Sequence, residues 1–137
     1  MIFHPPAPQF AFFDAGGVLY HANYFYIFEQ SRENFLNLSG VPYSQLAKIG
    51  THFAIRETNV RYLSPIRYGD ELEVVMNCKK LGKASFTLEY VLKVVNRSPA
   101  VVSAQGTTNH VAVTTTSEAF DIVPIPDDVY EALKGIS

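Results

Sequence analysis

A regular alternation of apolar and polar side chains between Ala84 and Asn96 is the feature that most constrains the fold of this chain. Such a two-residue period is typical of a strand that buries one face of a sheet. The apolar positions are Phe86, Leu88, Tyr90, Leu92 and Val94, and the polar ones are Ser85, Thr87, Glu89 and Lys93. Three further strands are predicted at His52–Leu63, Leu72–Leu81 and Ala100–Thr114, bounded by turn signals at Pro65, Gly82 and Arg97–Pro99. Long strands joined by short turns indicate antiparallel pairing.

One long helix is predicted from Ala22 to Leu38, where aromatic and aliphatic residues repeat at intervals of three and four. Gly40 lies where a left-handed helix cap is expected, and Pro42 prevents continuation. A short second helix is predicted at Tyr43–Ile49, and a turn of helix at Asp127–Leu133.

The aromatic helix needs an apolar surface to cover it, and the strands supply one. The economical architecture is α+β: a curved antiparallel β-sheet wrapped around one long central α-helix, in the order strand, helix, four strands. The first strand corresponds to the apolar run Phe10–Phe13. This is the hotdog fold. We expect a single domain over residues 1–137, with residues 1–9 and 120–137 as peripheral tails.

Composition excludes several classes of protein. The formal net charge of −2 offers no general basic field for nucleic acid, and no apolar run reaches the roughly 20 residues of a membrane helix. A single cysteine, Cys78, and an N-terminus without signal-peptide character indicate a soluble cytoplasmic protein without disulfides. No His, Cys, Asp and Glu spacing matches a metal site, so we predict none.

The run from Phe13 to Tyr24 is the strongest candidate for a functional site. It places one carboxylate, Asp14, and the adjacent glycines Gly16 and Gly17 just before the long helix. A carbonyl bound there would meet a base or nucleophile on one side and free helix N–H groups on the other. Taken alone, Asp14 is more simply interpreted as a turn residue or a helix cap.

The same run, Asp14-Ala15-Gly16-Gly17-Val18-Leu19-Tyr20-His21-Ala22, resembles the signature of the 4-hydroxybenzoyl-CoA thioesterase family, especially its Tol-Pal-associated acyl-CoA thioesterase branch. A second stretch, from Arg61 to Leu72, resembles the family pattern Tyr-x-x-Pro-Ala-x-x-Gly-Asp-x-Leu. The likeness spans about Phe10 to Val113. The family has Asp and Thr where this chain has Phe12 and Phe13, so Asp14 is the only carboxylate of its loop.

The resemblance implies an acyl-CoA thioesterase that needs no cofactor, since coenzyme A is part of the substrate. It implies Asp14 as nucleophile or general base, and a backbone or imidazole role for His21. The implied substrate-binding residues are Gly17, Tyr20, Tyr24, Asn59, Tyr62 and Lys83. The family's sites form between subunits, which implies a homodimer or homotetramer.

Two other functions remain open from the sequence. A non-catalytic hotdog module would bind acyl-CoA or acyl carrier protein without hydrolysing it. A hotdog dehydratase would act on hydroxyacyl thioesters, but it calls for a His and acidic pair in a different arrangement. The acyl group is left open between aliphatic and aromatic.

Overall fold

The structure, a computed structural model, describes residues 1–137. It contains β1 (Ile2–Phe3), a 3₁₀ turn (Phe10–Phe12), α1 (Asn23–Leu38), α2 (Tyr43–Lys48), β2 (Thr51–Tyr62), β3 (Leu72–Leu81), β4 (Ser85–Val94), β5 (Val101–Thr114) and α3 (Asp127–Gly135). The strands form one five-stranded sheet in the order β1-β3-β4-β5-β2. Every neighbouring pair is antiparallel. The predicted α+β hotdog fold is therefore confirmed.

Helix α1 covers the sheet through an aromatic contact at its centre. The rings of Phe28 and Tyr90 stack with centroids 4.3 Å apart. Gly106 on β5 lies directly beneath, and a Cβ there would come within 2.7 Å of the Phe28 ring. The absence of a side chain at this position lets the helix approach the sheet closely. The predicted alternation on β4 is also confirmed, because every second residue from Phe86 to Val94 is buried.

Helix α1 ends as the sequence predicts. Gly40 has a φ of 76°, in the left-handed region. Its N–H donates to the carbonyl of Asn37, and the N–H of Val41 donates to the carbonyl of Leu36. This pair of bonds is the Schellman arrangement, which satisfies two carbonyls that a helix end otherwise leaves free.

The first strand was predicted wrongly. Residues Phe10–Phe12 form a 3₁₀ turn, because the N–H of Phe12 donates to Gln9 and that of Phe13 donates to Phe10. The strand that precedes the helix is instead β1, which pairs with β3 through Ile2 and Phe3. An apolar run of this length does not distinguish a strand from a curled segment, and local hydrogen bonds decide.

Both chain ends pack on the sheet. The amino group of Met1 donates to the carbonyl of Met76. At the other end, Val129 and Leu133 of α3 are buried in the main core. The N–H of Cys78 donates to the carbonyl of Ile136. The segments 1–9 and 120–137 thus help to cover β3 and the end of the core.

Candidate active site

Asp14 lies in a tight loop that holds one of its carboxylate oxygens and leaves the other free. Oδ1 accepts the N–H groups of Gly16 at 2.8 Å and Val18 at 3.3 Å. The loop is closed by Asp14 N–H to the Val18 carbonyl at 2.9 Å and by Gly17 N–H to the Asp14 carbonyl at 3.0 Å. Gly17 has a φ of 75° and so takes a conformation that favours glycine. Oδ2 has no partner within the chain and is open to a bound molecule.

The second sequence motif, Arg61 to Leu72, forms backbone contacts with this loop. The N–H of Leu19 donates to the carbonyl of Ile66 at 2.8 Å, and Val18 forms an isolated bridge with Arg67. The supporting segment is itself fixed by Asp70, whose Oδ2 accepts the N–H of Arg67 at 2.7 Å. The guanidinium of Arg97 donates to the same oxygen at 2.6 Å. Two motifs that are far apart in sequence therefore form one structural unit.

The start of α1 supplies backbone donors beside the loop. The carbonyl of His21 accepts the Tyr62 hydroxyl at 2.9 Å, which ties the helix start to the end of β2. The N–H groups of His21 and Ala22 have no acceptor within the chain. The His21 imidazole is exposed and lies against the Tyr20 ring at a centroid distance of 4.3 Å. Free N–H groups at a helix start are suited to an oxygen that gains negative charge.

These elements enclose a cleft of about 350 Å³. It is lined by Asp14, Val18, Leu19, His21, Tyr24, Tyr62, Leu63, Ser64 and Pro65. Tyr24 is buried, and its ring meets that of Tyr62 edge to face at 4.8 Å. Burial raises the pKa of both phenols further above their ordinary value of 10.0, so both side chains are polar but uncharged. Leu63, Ser64 and Pro65 were not singled out from the sequence, although they belong to the second motif.

The structure gathers only part of the predicted set in this cleft. Asp14, His21, Tyr24 and Tyr62 line it, and Gly17 shapes the loop. Tyr20 is exposed at its rim beside His21. Asn59 lies in a different, polar depression with Lys79, Glu89 and Gln105.

Lys83 lies at the other end of the sheet from Asp14 within one chain. It precedes Ser85, which pairs with Val111, and Val111 pairs with Ala54 near the start of β2. The Asp14 cleft is at the opposite end of β2, by Tyr62. A role for Lys83 in binding the same substrate stays a prediction that requires a second chain.

No group of three or more His, Cys, Asp or Glu side chains is arranged to hold a metal ion. None of the helices combines the length and the apolar character needed to cross a bilayer. The cleft thus contains a free carboxylate oxygen, on Asp14, and a residue with a free backbone N–H, His21.

The fold is that of the hotdog class, and its similarity to thioester hydrolases identifies the chain as an enzyme of that kind. The chain belongs to the Thioesterase-like superfamily, whose family model matches residues 8–133. It is 36% identical over 126 residues to a putative esterase of Aquifex aeolicus, covering 92% of each chain.

Two further similarities extend the comparison. An acyl-CoA thioester hydrolase, YbgC, of Escherichia coli O157:H7 is 31% identical over 83 residues, which span 61% of this chain and 60% of that protein. The solved structure of BH1999 gentisyl-coenzyme A thioesterase superposes with a TM-score of 0.83 at 26% identity, covering 97% of this chain and 99% of that one.

Proposed function

We propose that this protein hydrolyses an acyl-CoA thioester to a free carboxylic acid and coenzyme A, with Asp14 as the reacting carboxylate. The observation that carries the proposal is the arrangement of Asp14 itself. One oxygen is anchored by loop N–H groups while Oδ2 is free, and it lies in a cleft that also contains His21. The family membership supports the same reaction class.

Two routes fit a single carboxylate. In the first, Oδ2 attacks the thioester carbonyl carbon, the C–S bond breaks with loss of the thiolate, and water then hydrolyses the mixed anhydride. In the second, Oδ2 removes a proton from water, the resulting hydroxide attacks the carbonyl, and the C–S bond breaks with loss of the thiolate, which takes up the proton. In both routes the N–H of His21 stabilises the oxyanion, a role supported by its lack of an acceptor within the chain. A thiolate is a good leaving group, so no triad of side chains is needed.

The proposal extends to a homodimer or larger homo-oligomer in the cytoplasm, nearest to the Tol-Pal-associated branch of the family. Strand β2 pairs only with β5, so one long edge of the sheet is open. If two copies pair antiparallel along this edge, the Tyr62 end of one β2 meets the Thr51 end of the other. That arrangement would bring Lys83 of the second copy towards the Asp14 cleft, which a single chain does not do.

The decisive experiment is turnover of Asp14→Asn, followed as release of free thiol with a thiol-reactive dye. We expect kcat to fall by at least about 100-fold on short, long and aromatic acyl-CoA substrates, because the amide is neither nucleophile nor base. The matched control is Asp128→Asn, which makes the same change at an exposed residue in the first turn of α3. Near-normal kcat in the Asp14 variant would reduce Asp14 to a loop-forming residue.

A further inference from the structure

A second cleft shares no lining residue with the Asp14 cleft. It has a volume of about 650 Å³ and is bounded by α1, α2, the start of β2 and the end of β5. Its lining residues are Glu29, Arg32, Tyr43, Leu46, Ala47, Thr51, His52, Phe53, Ile55, His110 and Thr115, none of which lines the Asp14 cleft. The size falls within the range of small-molecule sites in proteins.

A buried chain of hydrogen bonds ends at the wall of this cleft. Arg32 Nη1 donates to the Tyr90 hydroxyl at 3.1 Å. The Tyr90 hydroxyl lies 2.9 Å from Thr108 Oγ1, which in turn lies 2.7 Å from His110 Nε2. None of the four residues exceeds 6% exposure. The other ring nitrogen, His110 Nδ1, is buried and has no partner at all.

The direction of every bond in this chain follows from Arg32, which can only donate. Tyr90 accepts from Arg32, so its single proton is directed to Thr108. Thr108 accepts that proton and directs its own to His110 Nε2. If Nε2 instead donated to Thr108, one hydroxyl proton, that of Thr108 or that of Tyr90, would lack an acceptor in the protein interior, which is costly.

The consequence is a defined tautomer for His110. Because Nε2 accepts, the neutral imidazole carries its proton on Nδ1. The ring cannot rotate freely, since it stacks on Phe86 at 4.7 Å with planes 10° apart. The interior therefore holds a fixed N–H donor, on a residue of the cleft wall, that lacks an acceptor. Buried polar groups of native proteins rarely stay unpaired.

The charges of the cleft indicate what kind of acceptor it would take. The Arg32 guanidinium is paired with the Glu29 carboxylate, which also accepts the Tyr43 hydroxyl at 2.8 Å. The Glu29 carboxylate would repel a carboxylate ligand, whereas it would not repel an uncharged molecule. Apolar side chains, among them Leu46, Phe53 and Ile55, complete the lining.

We propose that this cleft binds a small, uncharged, largely apolar molecule bearing a hydrogen-bond-accepting oxygen, and that the Nδ1–H of His110 recognises that oxygen. Two sources share this chemistry. The group is either the oxygen-bearing acyl chain of a thioester that reaches the cleft from a second copy of the chain, or a separate small molecule.

The first experiment uses protein labelled with ¹⁵N in histidine and a pair of probes of similar shape, acetophenone and ethylbenzene. Long-range ¹⁵N–¹H spectra of the free protein should show the His110 proton on Nδ1. Acetophenone should shift that resonance and bind about tenfold more tightly than ethylbenzene, because only the ketone satisfies the donor. Equal affinities, or a free tautomer protonated on Nε2, would overturn the proposal, and His110 would then be a structural residue served by a single water.

Variants separate recognition by His110 from a general apolar effect. His110→Phe keeps the stacking on Phe86 but removes the donor, so the preference for acetophenone should vanish while ethylbenzene binding persists. Thr108→Val keeps the shape of the threonine and removes the bond that fixes the tautomer, so it should weaken the same preference. This variant serves as the test if His110→Phe does not fold. The control His4→Phe alters an exposed imidazole outside the cleft and should retain the preference. A preference that survives both test variants contradicts the proposal.

Kinetic measurements decide whether the accepting oxygen belongs to the acyl group of a substrate or to a separate molecule. Only this part of the test rests on the proposed function. We compare kcat/KM for 5-oxohexanoyl-CoA and hexanoyl-CoA in wild type and His110→Phe. A preference for the oxo substrate that disappears in the variant assigns the cleft to the acyl group. If the ratio of the two kcat/KM values is the same in wild type and variant while the variant loses acetophenone binding, the cleft is assigned to a separate molecule. The binding experiment is repeated in Asp14→Asn, which is expected not to hydrolyse thioesters. Acetophenone binding in that variant tests the cleft proposal whether or not the proposed hydrolysis is correct.

Discussion

Burial separates the two titratable groups that matter most in this protein. Asp14 is exposed, with one oxygen held by two loop N–H groups and the other free. His110 is 2% exposed and fixed by stacking and by its bond to Thr108. An exposed carboxylate is available to a substrate, whereas a buried imidazole is forced into one protonation state. The degree of burial thus suits Asp14 to reaction with a substrate and His110 to hydrogen bonding in a fixed orientation.

The buried imidazole should make stability depend on pH. Burial, followed by electrostatic effects of Arg32 and His52, lowers the pKa of His110 to about 3 from 6.5. Between these values the unfolded chain binds a proton that the folded chain does not, so the free energy of unfolding falls as pH falls. The loss from this group approaches about 1.4 kcal/mol per pH unit below pH 6.5.

Urea denaturation of wild type and His110→Phe at pH 7, 6 and 5 checks this prediction. The wild type should lose about 2 kcal/mol more than the variant between pH 7 and pH 5. His4→Phe, which removes an exposed imidazole, should follow the wild type. Parallel pH profiles for wild type and His110→Phe would show that His110 is not held neutral by its surroundings.

At the scale of elements, the position of α1 depends on one close approach to β5. The Phe28 ring lies over Gly106, where an added Cβ would meet Phe28 Cε2 at 2.7 Å and the Asn59 carbonyl oxygen at 3.0 Å. The same helix carries Tyr24 of the Asp14 cleft and Arg32 of the second cleft. A displaced helix would therefore disturb both sites.

Gly106→Ala should lower the free energy of unfolding by about 1–3 kcal/mol, as expected for overpacking a close contact. Gly135→Ala serves as the control, since a Cβ there has no atom within 4 Å. Combining Gly106→Ala with Phe28→Leu should cost less than the sum of the two single changes, because leucine lacks the ring edge that clashes. Simple additivity in denaturant unfolding would exclude the contact as the cause.

At the scale of the whole molecule, the sheet has one long unpaired edge. Strand β2 has 12 residues and is paired on one side only. Its residues around the midpoint are exposed, and Ile55 is a large apolar side chain with 47% exposure. Long exposed edges are rare in isolated sheets because they invite pairing with another strand.

We therefore expect at least a dimer by size-exclusion chromatography with light scattering, rather than a 15.3 kDa monomer. Ile55→Lys should weaken association, since a charge at an edge strand opposes pairing. The matched control is Leu38→Lys, at an exposed position at the end of α1 that is 75% accessible. A monomer at micromolar concentration would remove the shared-site arrangement and with it the role predicted for Lys83.

Local patterns in the sequence were enough to determine the four long strands, the main helix with its Gly40 cap, and the Asp14 loop. Alternation on β4, the three-and-four spacing of α1 and the glycines beside Asp14 all act over a few residues, so their physical effect is visible in the chain itself. Residues 10–12 show where local patterns fail to predict structure, because this apolar run forms a 3₁₀ turn and not a strand.

Only the tertiary structure decided which distant side chains meet. Arg32 lies on the buried and mostly apolar face of α1, which is a local sign of a polar group in the interior. Its route through Tyr90 and Thr108 to His110 joins three elements through the register of β4 and β5. The same register placed Lys83 at the end of the sheet away from Asp14. Strand register and helix placement depend on packing between remote segments, and so does the chemistry built on them.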